Sequence, residues 1–566
     1  MQRVVIVSNL FPPTVVGGAE IVAHRQACAL AAQGVDVAVF AGGFAREGWE
    51  AGSLVLEMTD GFPVYRIALA SLDPGENFHR PETERRFLSL LATHQPDIVH
   101  VHNPGGLGMN LIPAAKGFGA RVVVTLHDHW GVCFKNTLLR NDGRVCPDVE
   151  ACAVCLPATA ARDGAHLPIR LRRDYVAWCL DQADQLLSPS RYLADFYETT
   201  NVVRRPTQAL SNGIPGEHIP VSAKPAPDPV QFACFSYLGE HKGIPTLLAA
   251  AEALARDPAM QGRWHLTIAG HGHLAEGLVR DIAAGRFGEA VSFAGRLAHT
   301  DALVLLARVH VVVLASHWPE NEPVTLLEAI ASGTAQLASR IGGNIELVAD
   351  EASGLLVTPG DPDALAAAMR RFVDEPDLAQ KFGAYNAARR DAFDEARIME
   401  RLRALYETVP DAPAPDDLVV VCAGRERSRA FALKLQLMLD RFHIVEDRPR
   451  RIRFIWHGWA GSQVWRRARL LWLWGETGEA DLPLVLQALR AGVPVLAPAD
   501  SPLARVTERG GDVGTYETLL DAVGRIAALQ DVESGAALAP NGASAARFLT
   551  ALAPRTSFHL PVRELA

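Results

Sequence analysis

With 566 residues, 49% of them apolar and 21% charged, the chain has the composition of a soluble globular protein with room for three domains of ordinary size. A net charge of −9 offers nucleic acid no basic field, and short basic runs such as Arg170–Arg173 and Arg448–Arg453 read first as solvated surface, with membrane-surface contact as the second reading. No apolar run reaches the roughly 18 residues of a membrane-spanning helix. The first strand begins almost at once, so a cytoplasmic location and mostly reduced thiols for the eight cysteines are expected.

Strands and helices alternate from residue 1 to about 215. Val4–Ser8 reads as a buried strand, Ala19–Gln33 as a helix closed by Gly34, and Val35–Phe40 as the next strand. Further strands are expected at 98–102, 121–126 and 185–187, a βαβ pattern that predicts a parallel, doubly wound sheet. The Pro-rich segment Pro220–Pro229 leads into a second α/β run. Its strands fall near 231–237, 264–269, 291–294, 309–315 and 335–339, and a helical segment Leu378–Val409 closes it. Pro410–Asp416 is a flexible break. The expected domains are therefore 1–215, 216–409 and 417–566. In the third, Glu479 to Ala497 parallels Glu320 to Ala338 in spacing, with Gln487 as the second polar residue and no Lys-Gly loop before it. This is either a degenerate partial copy of the second domain or an unrelated α/β appendage.

The segment Glu320-Asn-Glu-Pro-Val-Thr-Leu-Leu-Glu328 is the most informative. Pro323 suits the first helical position, which leaves the N–H groups of Val324 and Thr325 free at the helix mouth to hold a phosphate. Glu320 would precede that helix and Glu328 would lie one turn inside it. Such an arrangement suits a nucleotide sugar, with one acid on sugar hydroxyls and the other on ribose hydroxyls. Two more strand-to-helix junctions have phosphate-binding character. Gly17-Gly18-Ala19-Glu20 lets backbone approach a ligand, although such a turn is often only a tight loop. Lys242-Gly243, just before a helix containing Pro245, could neutralise a diphosphate or be an ordinary solvated lysine. All three lie at the carboxyl ends of predicted strands, where ligands bind in open α/β sheets.

His127, in Leu126-His-Asp-His-Trp130, ends a strand, as do His100 and His102. A histidine in that place is more often structural, but one facing a phosphate cleft from the opposite domain is functional, and His127 ranks first. Cys133, Cys146, Cys152 and Cys155 crowd into an insert at 133–156; a structural zinc, free thiols and a redox pair are the readings. HExxH, GxSxG and P-loop motifs are missing, and no Gly-x-Gly-x-x-Gly follows the first strand, which disfavours a nicotinamide oxidoreductase.

Together these residues resemble the retaining glycosyltransferases of the GT-B fold, family 4, over about residues 1–405. The likeness rests on the two acids with their surroundings Trp318-Pro-Glu-Asn-Glu-Pro and Ile341-Gly-Gly-Asn-Ile-Glu346. Gly17–Glu20, Ser211-Asn-Gly-Ile214 and Ala269-Gly270-His-Gly272 add to it. His-Asp-x-Trp followed by a cysteine cluster is similar to one subset of that family. The resemblance implies two Rossmann-like domains facing a cleft, here with a smaller C-terminal α/β domain. It also implies sugar transfer from a UDP- or GDP-linked donor to a glycan or lipid-linked acceptor, in cell-surface polysaccharide or glycoconjugate synthesis, without a catalytic metal. A lipid-linked acceptor would bring peripheral contact with the inner face of the membrane. By this likeness Glu320 contacts donor-sugar hydroxyls, Glu328 the ribose, and Lys242 with the Val324 and Thr325 N–H groups the diphosphate. Gly17 and Gly18 approach the phosphates, His127 stabilises charge near the reacting carbon, and Arg296 faces the base. The chain departs from the family at Tyr237, where an arginine usually helps the lysine; Arg296 and Arg340 are candidate substitutes. That departure motivates the alternative of a non-catalytic nucleotide- or glycan-binding scaffold.

Overall fold

The computed structural model describes residues 2–408 apart from 71–79, 147, 148, 150, 151, 157, 161–165, 201, 217, 218, 220, 222, 223 and 225–227. Beyond 408 it describes 418–424, 452–456, 465, 468–474, 477, 481–501, 513–517 and 522.

The apolar run behind the first methionine forms β1 (Arg3–Ser8), buried from Val4 onward because both faces of its sheet are covered. In chain order there follow β2 (Asp36–Phe44), β3 (Leu54–Thr59), β4 (Phe62–Leu69), β5 (Ile98–Asn103), β6 (Arg121–Thr125), a small hairpin of β7 (Ala158–Ala160) and β8 (His166–Pro168), β9 (Gln185–Ser188) and β10 (Thr207–Ala209). Eight of these form one sheet, ordered β10-β9-β6-β5-β1-β2-β4-β3, in which β3 runs antiparallel to β4. The β3–β4 hairpin escaped the sequence reading, although Asp60-Gly61 is a strong two-residue turn signal; both residues take positive φ, at 50° and 87°.

The second sheet contains β11 (Val230–Tyr237), β12 (Trp264–His271), β13 (Val291–Gly295), β14 (Val311–Leu314), β15 (Ala335–Ser339) and β16 (Gly354–Val357), ordered β13-β12-β11-β14-β15-β16 and parallel throughout. The expected α/β architecture of two Rossmann-like halves is thus present. Phe232, Leu266, Val313 and Phe372 lie in the core of the second half.

Residues 378–409 do not close that half as one helical segment. The helix Asp377–Arg389 does pack Leu378 and Phe382 into the second core. The chain then turns, and Asp394 accepts the Ala396 N–H to cap a new helix, Glu395–Thr408. Ile398, Met399, Leu402 and Tyr406 of this helix are buried with Val4, Ile6 and Val39 of the first half. Its apolar stripe matches a core laid down almost 400 residues earlier, a match that periodicity cannot reveal.

The chain divides into two compact units, one of residues 1–83, 96–109 and 122–409 and the other of 84–95, 110–121 and 410–566. Two helical segments from the first third of the sequence therefore group with the C-terminal part, and Asn110 Nδ2 donates to Glu84 Oε2 at 2.6 Å between them. The second unit has a five-stranded sheet of β17 (Leu418–Gly424), β18 (Ile452–Trp456), β19 (Ala468–Trp474), β20 (Val495–Pro498) and β21 (Val513–Tyr516), ordered β18-β17-β19-β20-β21. Without β13, the second sheet has the same order. Registers agree as well: Val311 pairs with Ala335 and Leu471 with Val495, both across 24 residues. Gln336–Gly354 and Val495–Val513 both span 18, and Val230–Trp264 and Leu418–Ile452 both span 34.

Among the described residues no helix is long and apolar enough to cross a membrane.

Candidate active site

The site forms where the carboxyl ends of the second sheet meet loops of the first half. The helix after β14 runs Val324–Ser332, with Pro323 as its N-cap rather than its first residue, since Pro323 takes extended ψ of 120°. The Val324 and Thr325 N–H groups remain without an acceptor among the described residues. Gly18 lies against that helix mouth: a Cβ there would sit 3.7 Å from Val324 Cγ2. The Gly17 N–H is turned inward onto Glu20 Oε2 at 2.6 Å, so Gly17 shapes the loop and Gly18 is the residue at the mouth.

Glu320, 6% exposed, precedes the helix. Its Oε1 accepts from Lys242 Nζ at 2.7 Å, Ser316 Oγ at 2.6 Å and Trp318 Nε1 at 2.7 Å. Burial pushes the Glu320 pKa up, but the Lys242 ammonium and these hydrogen bonds outweigh it and hold the carboxylate below its usual 4.5. Oε2 accepts no bond among the described residues, which leaves it open to an incoming hydroxyl. Two glycine-dependent approaches build this arrangement. Gly243, at φ 69°, passes so close to β14 that a Cβ would lie 1.7 Å from Ala315 O, and this delivers Lys242 to Glu320. A Cβ on Gly343 would lie 1.6 Å from Asn321 O, so the Ile341-Gly-Gly loop can press on the acid loop, where the Gly343 N–H donates to Glu320 O at 2.7 Å.

Glu328 lies one turn into the helix and accepts from exposed His299 at 2.7 Å. That hydrogen bond raises the His299 pKa. Arg296 is exposed in the loop after β13. Arg340, the other candidate substitute for the missing arginine, has a half-exposed side chain that forms an ion pair with Asp350. In the arginine's place Tyr237, 41% exposed, stacks on His241 at 5.7 Å and 27°, with His271 and His273 around it. Lys242 also sits 4.5 Å from the centroid of Trp318.

His127 follows β6. Its Nε2 meets His102 Nδ1 at 2.9 Å, and His100 links to Tyr406 and Thr125 at 2.7 Å each. Burial lowers the His127 pKa to about 3, so the ring is neutral. A neutral imidazole can offer a ligand a hydrogen bond but carries no charge to it. The rest of the His-Asp-x-Trp segment is scaffold: Asp128 accepts the Trp130 N–H at 2.7 Å, and Tyr197 bonds the backbone of Asp128 and Gly131.

Sequence reasoning missed the residues that join the acid loop to the first half. Asn321 Nδ2 donates to His127 O at 2.9 Å, and its Oδ1 accepts from Ser190 Oγ at 2.5 Å. Glu322 accepts the Asn212 N–H at 2.6 Å, and Glu346 accepts the N–H groups of Arg191 and Tyr192 at 2.9 and 2.5 Å. Asn321 and Glu322 stand between the two recognised acids, and spacing gives no sign that they reach across the fold.

Cys133, Cys146, Cys152 and Cys155 are half-buried and form no disulfide among the described residues. Burial raises the Cys152 pKa, and Cys133, Cys146 and Cys155 raise it further, so the four thiols share one neighbourhood. Four thiols are the right donors in kind for tetrahedral zinc. Among the described residues, however, no three of their sulfurs lie within 4.8 Å of one another.

Two Rossmann-like halves with this cluster between them define a glycosyltransferase of the GT-B fold. Residues 17–213 match the family described as glycosyl transferase 4-like domain, and residues 217–389 match glycosyl transferases group 1; the chain belongs with these glycosyltransferases. Glycogen synthase of Mycobacterium tuberculosis is 28% identical over 402 residues, covering 67% of this chain and 88% of that one. Sucrose-phosphate synthase from Thermosynechococcus elongatus superposes with TM-score 0.54 at 23% identity, over 72% of this chain and 98% of that one. Anabaena HepE in complex with UDP gives TM-score 0.51 at 17% identity, over 72% and 100%.

Proposed function

We propose that this chain transfers a sugar from a nucleoside-diphosphate sugar to an acceptor hydroxyl with retention of anomeric configuration, in the synthesis of a cell-surface polysaccharide or glycoconjugate. The observation that carries the reading is the buried Lys242–Glu320 pair beside the open N–H groups of Val324 and Thr325, with Gly18 facing them. The helix mouth and Lys242 take the diphosphate, Glu320 Oε2 a sugar hydroxyl and Glu328 the ribose. The anomeric C–O bond to phosphate breaks as the acceptor oxygen bonds to that carbon from the same face. The acceptor proton passes to the departing diphosphate, so no protein base is required. HepE was solved with UDP, which makes UDP the first nucleotide to test. The acceptor is a glycan or a lipid-linked acceptor, and the enzyme works in the cytoplasm, at the inner face of the membrane when that acceptor is lipid-linked.

Calorimetric titration of UDP and GDP into the wild type and Lys242→Ala, followed by donor-hydrolysis assays, tests the proposal. Micromolar binding of one nucleotide that is lost in the variant, with turnover of the matching donor, is the expected result. Absence of binding by either nucleotide would favour the scaffold reading, for which Tyr237 in the arginine's place is the supporting observation.

Residues 417–566 are, on this reading, a degenerate copy of the donor half, supported by the shared strand order and registers. Its helix Leu482–Arg490 has Gln487 where the donor helix has Glu328, which suits a role other than donor binding. The four-cysteine insert is proposed to close around a structural zinc; metal analysis of the wild type and Cys152→Ser checks it, with equal zinc in both counting against it.

A further inference from the structure

The helix Gly18–Ala32 presents His24 and Cys28 one turn apart on the same face, and the turn joining β3 to β4 brings Asp60 over them. His24 Nε2 lies 2.7 Å from Asp60 Oδ2 and 3.5 Å from Cys28 Sγ, and Cys28 Sγ lies 3.8 Å from Asp60 Oδ2. Among the described residues these are the ligand-type atoms that gather in threes. A tetrahedral zinc with bonds of about 2.0 Å to nitrogen or oxygen and about 2.3 Å to sulfur sets its ligands roughly 3.3–3.5 Å apart. Both sulfur separations are close to that spacing, and the His–Asp contact needs only to open by about half an ångström, which the half-exposed Asp60 side chain permits.

The surroundings favour a cation over an inert hydrogen-bonded trio. The imidazole is braced edge-on by buried Phe11, with ring centroids 5.3 Å apart, so His24 is held in position. Asp60 takes φ 50°, a backbone state in which aspartate is tolerated and which here aims its carboxylate back at the helix. The Asp60 carboxylate lies beside both the imidazole and the thiol, so the three groups offer one nitrogen, one sulfur and one oxygen to a single point. Arg25, the cation on this part of the helix, is already paired with Glu395 at 2.6 Å.

We propose that His24, Cys28 and Asp60 bind a divalent transition metal of the zinc class, with a fourth position open to water. One imidazole, one thiolate and one carboxylate form a donor set of intermediate softness, suited to zinc rather than magnesium or calcium. Binding releases the Cys28 proton to solvent and forms the sulfur–metal bond. The metal would tie the β3–β4 turn to the helix that opens with the Gly17-Gly18 loop, nearly two turns before His24. This site is independent of the four-cysteine insert and of the activity proposed above.

The test is cobalt(II) titration of chelator-stripped full-length protein, read by thiolate-to-cobalt absorption, with parallel zinc analysis. The wild type is expected to bind one equivalent more than Cys28→Ser. Asp60→Asn, on an exposed turn where folding is not at stake, should bind that equivalent at least about tenfold more weakly. Cys152→Ser should leave it intact. Equal stoichiometry and affinity in the wild type, Cys28→Ser and Asp60→Asn would overturn the proposal.

Discussion

Lys242 Nζ lies 2.7 Å from Glu320 Oε1, so the cation assigned to the diphosphate and the acid assigned to the sugar are each other's partners before any ligand arrives. Both are largely buried, with side chains 19% and 8% exposed. The pair stores the lysine in place, and Oε2 remains available. Glu320→Gln should lower turnover at least about 100-fold, the scale of losing one preorganised charge partner. It should also cost about 1–3 kcal/mol of stability by leaving the ammonium without its anion. Donor turnover and thermal melts measure both; wild-type turnover in this variant would sink the assignment.

His127 is expected to work as a neutral hydrogen-bond donor or acceptor. His127→Ala should reduce kcat about 100-fold with little change in KM, because the contact matters most as charge develops. A rise in KM alone would show that it serves ground-state binding.

Tyr237→Arg restores a second cation beside Lys242. The added charge-assisted contact should tighten binding of a nucleoside diphosphate about tenfold, and calorimetry reads it directly. Unchanged affinity would place the diphosphate away from the end of β11.

Glu322 gives the joint between the halves a pH dependence. Desolvation raises its carboxyl from the ordinary 4.5 to about 7 while it accepts the Asn212 N–H. Between those values the native state keeps a proton that the unfolded chain has released. Its contribution is therefore complete below pH 4.5 and is lost as pH rises through 7, an effect of about 3 kcal/mol. Glu322→Gln should flatten the decline of Tm across about pH 5–8. A slope identical to that of the wild type contradicts this role.

Tyr406 anchors the returning helix in the first core through His100. Tyr406→Phe should cost about 1 kcal/mol and Tyr406→Ala about 3–5 kcal/mol in denaturant melts. A near-neutral Tyr406→Ala would mean that the helix is not integral to that core.

The sequence by itself determined the two parallel α/β halves, because uninterrupted apolar runs such as Val4–Val7 and Val311–Leu314 can be covered only when both faces of a sheet are packed. It also determined the candidate site as a set of residues, since Pro323, Gly243 and the Gly342-Gly343 pair declare backbone requirements locally. Tertiary structure alone decided which side chains meet. The Lys242–Glu320 pair, the Asn321 and Glu322 links to His127 and Asn212, and the ion pair of Arg340 with Asp350 depend on how close two loops lie. It also decided that Glu395–Thr408 returns to the first core and that His24, Cys28 and Asp60 converge. Hydrophobic periodicity records which face of a segment is buried, but not the segment it is buried against. Long-range pairing is settled by packing shape and charge across hundreds of residues, and no local pattern carries that information.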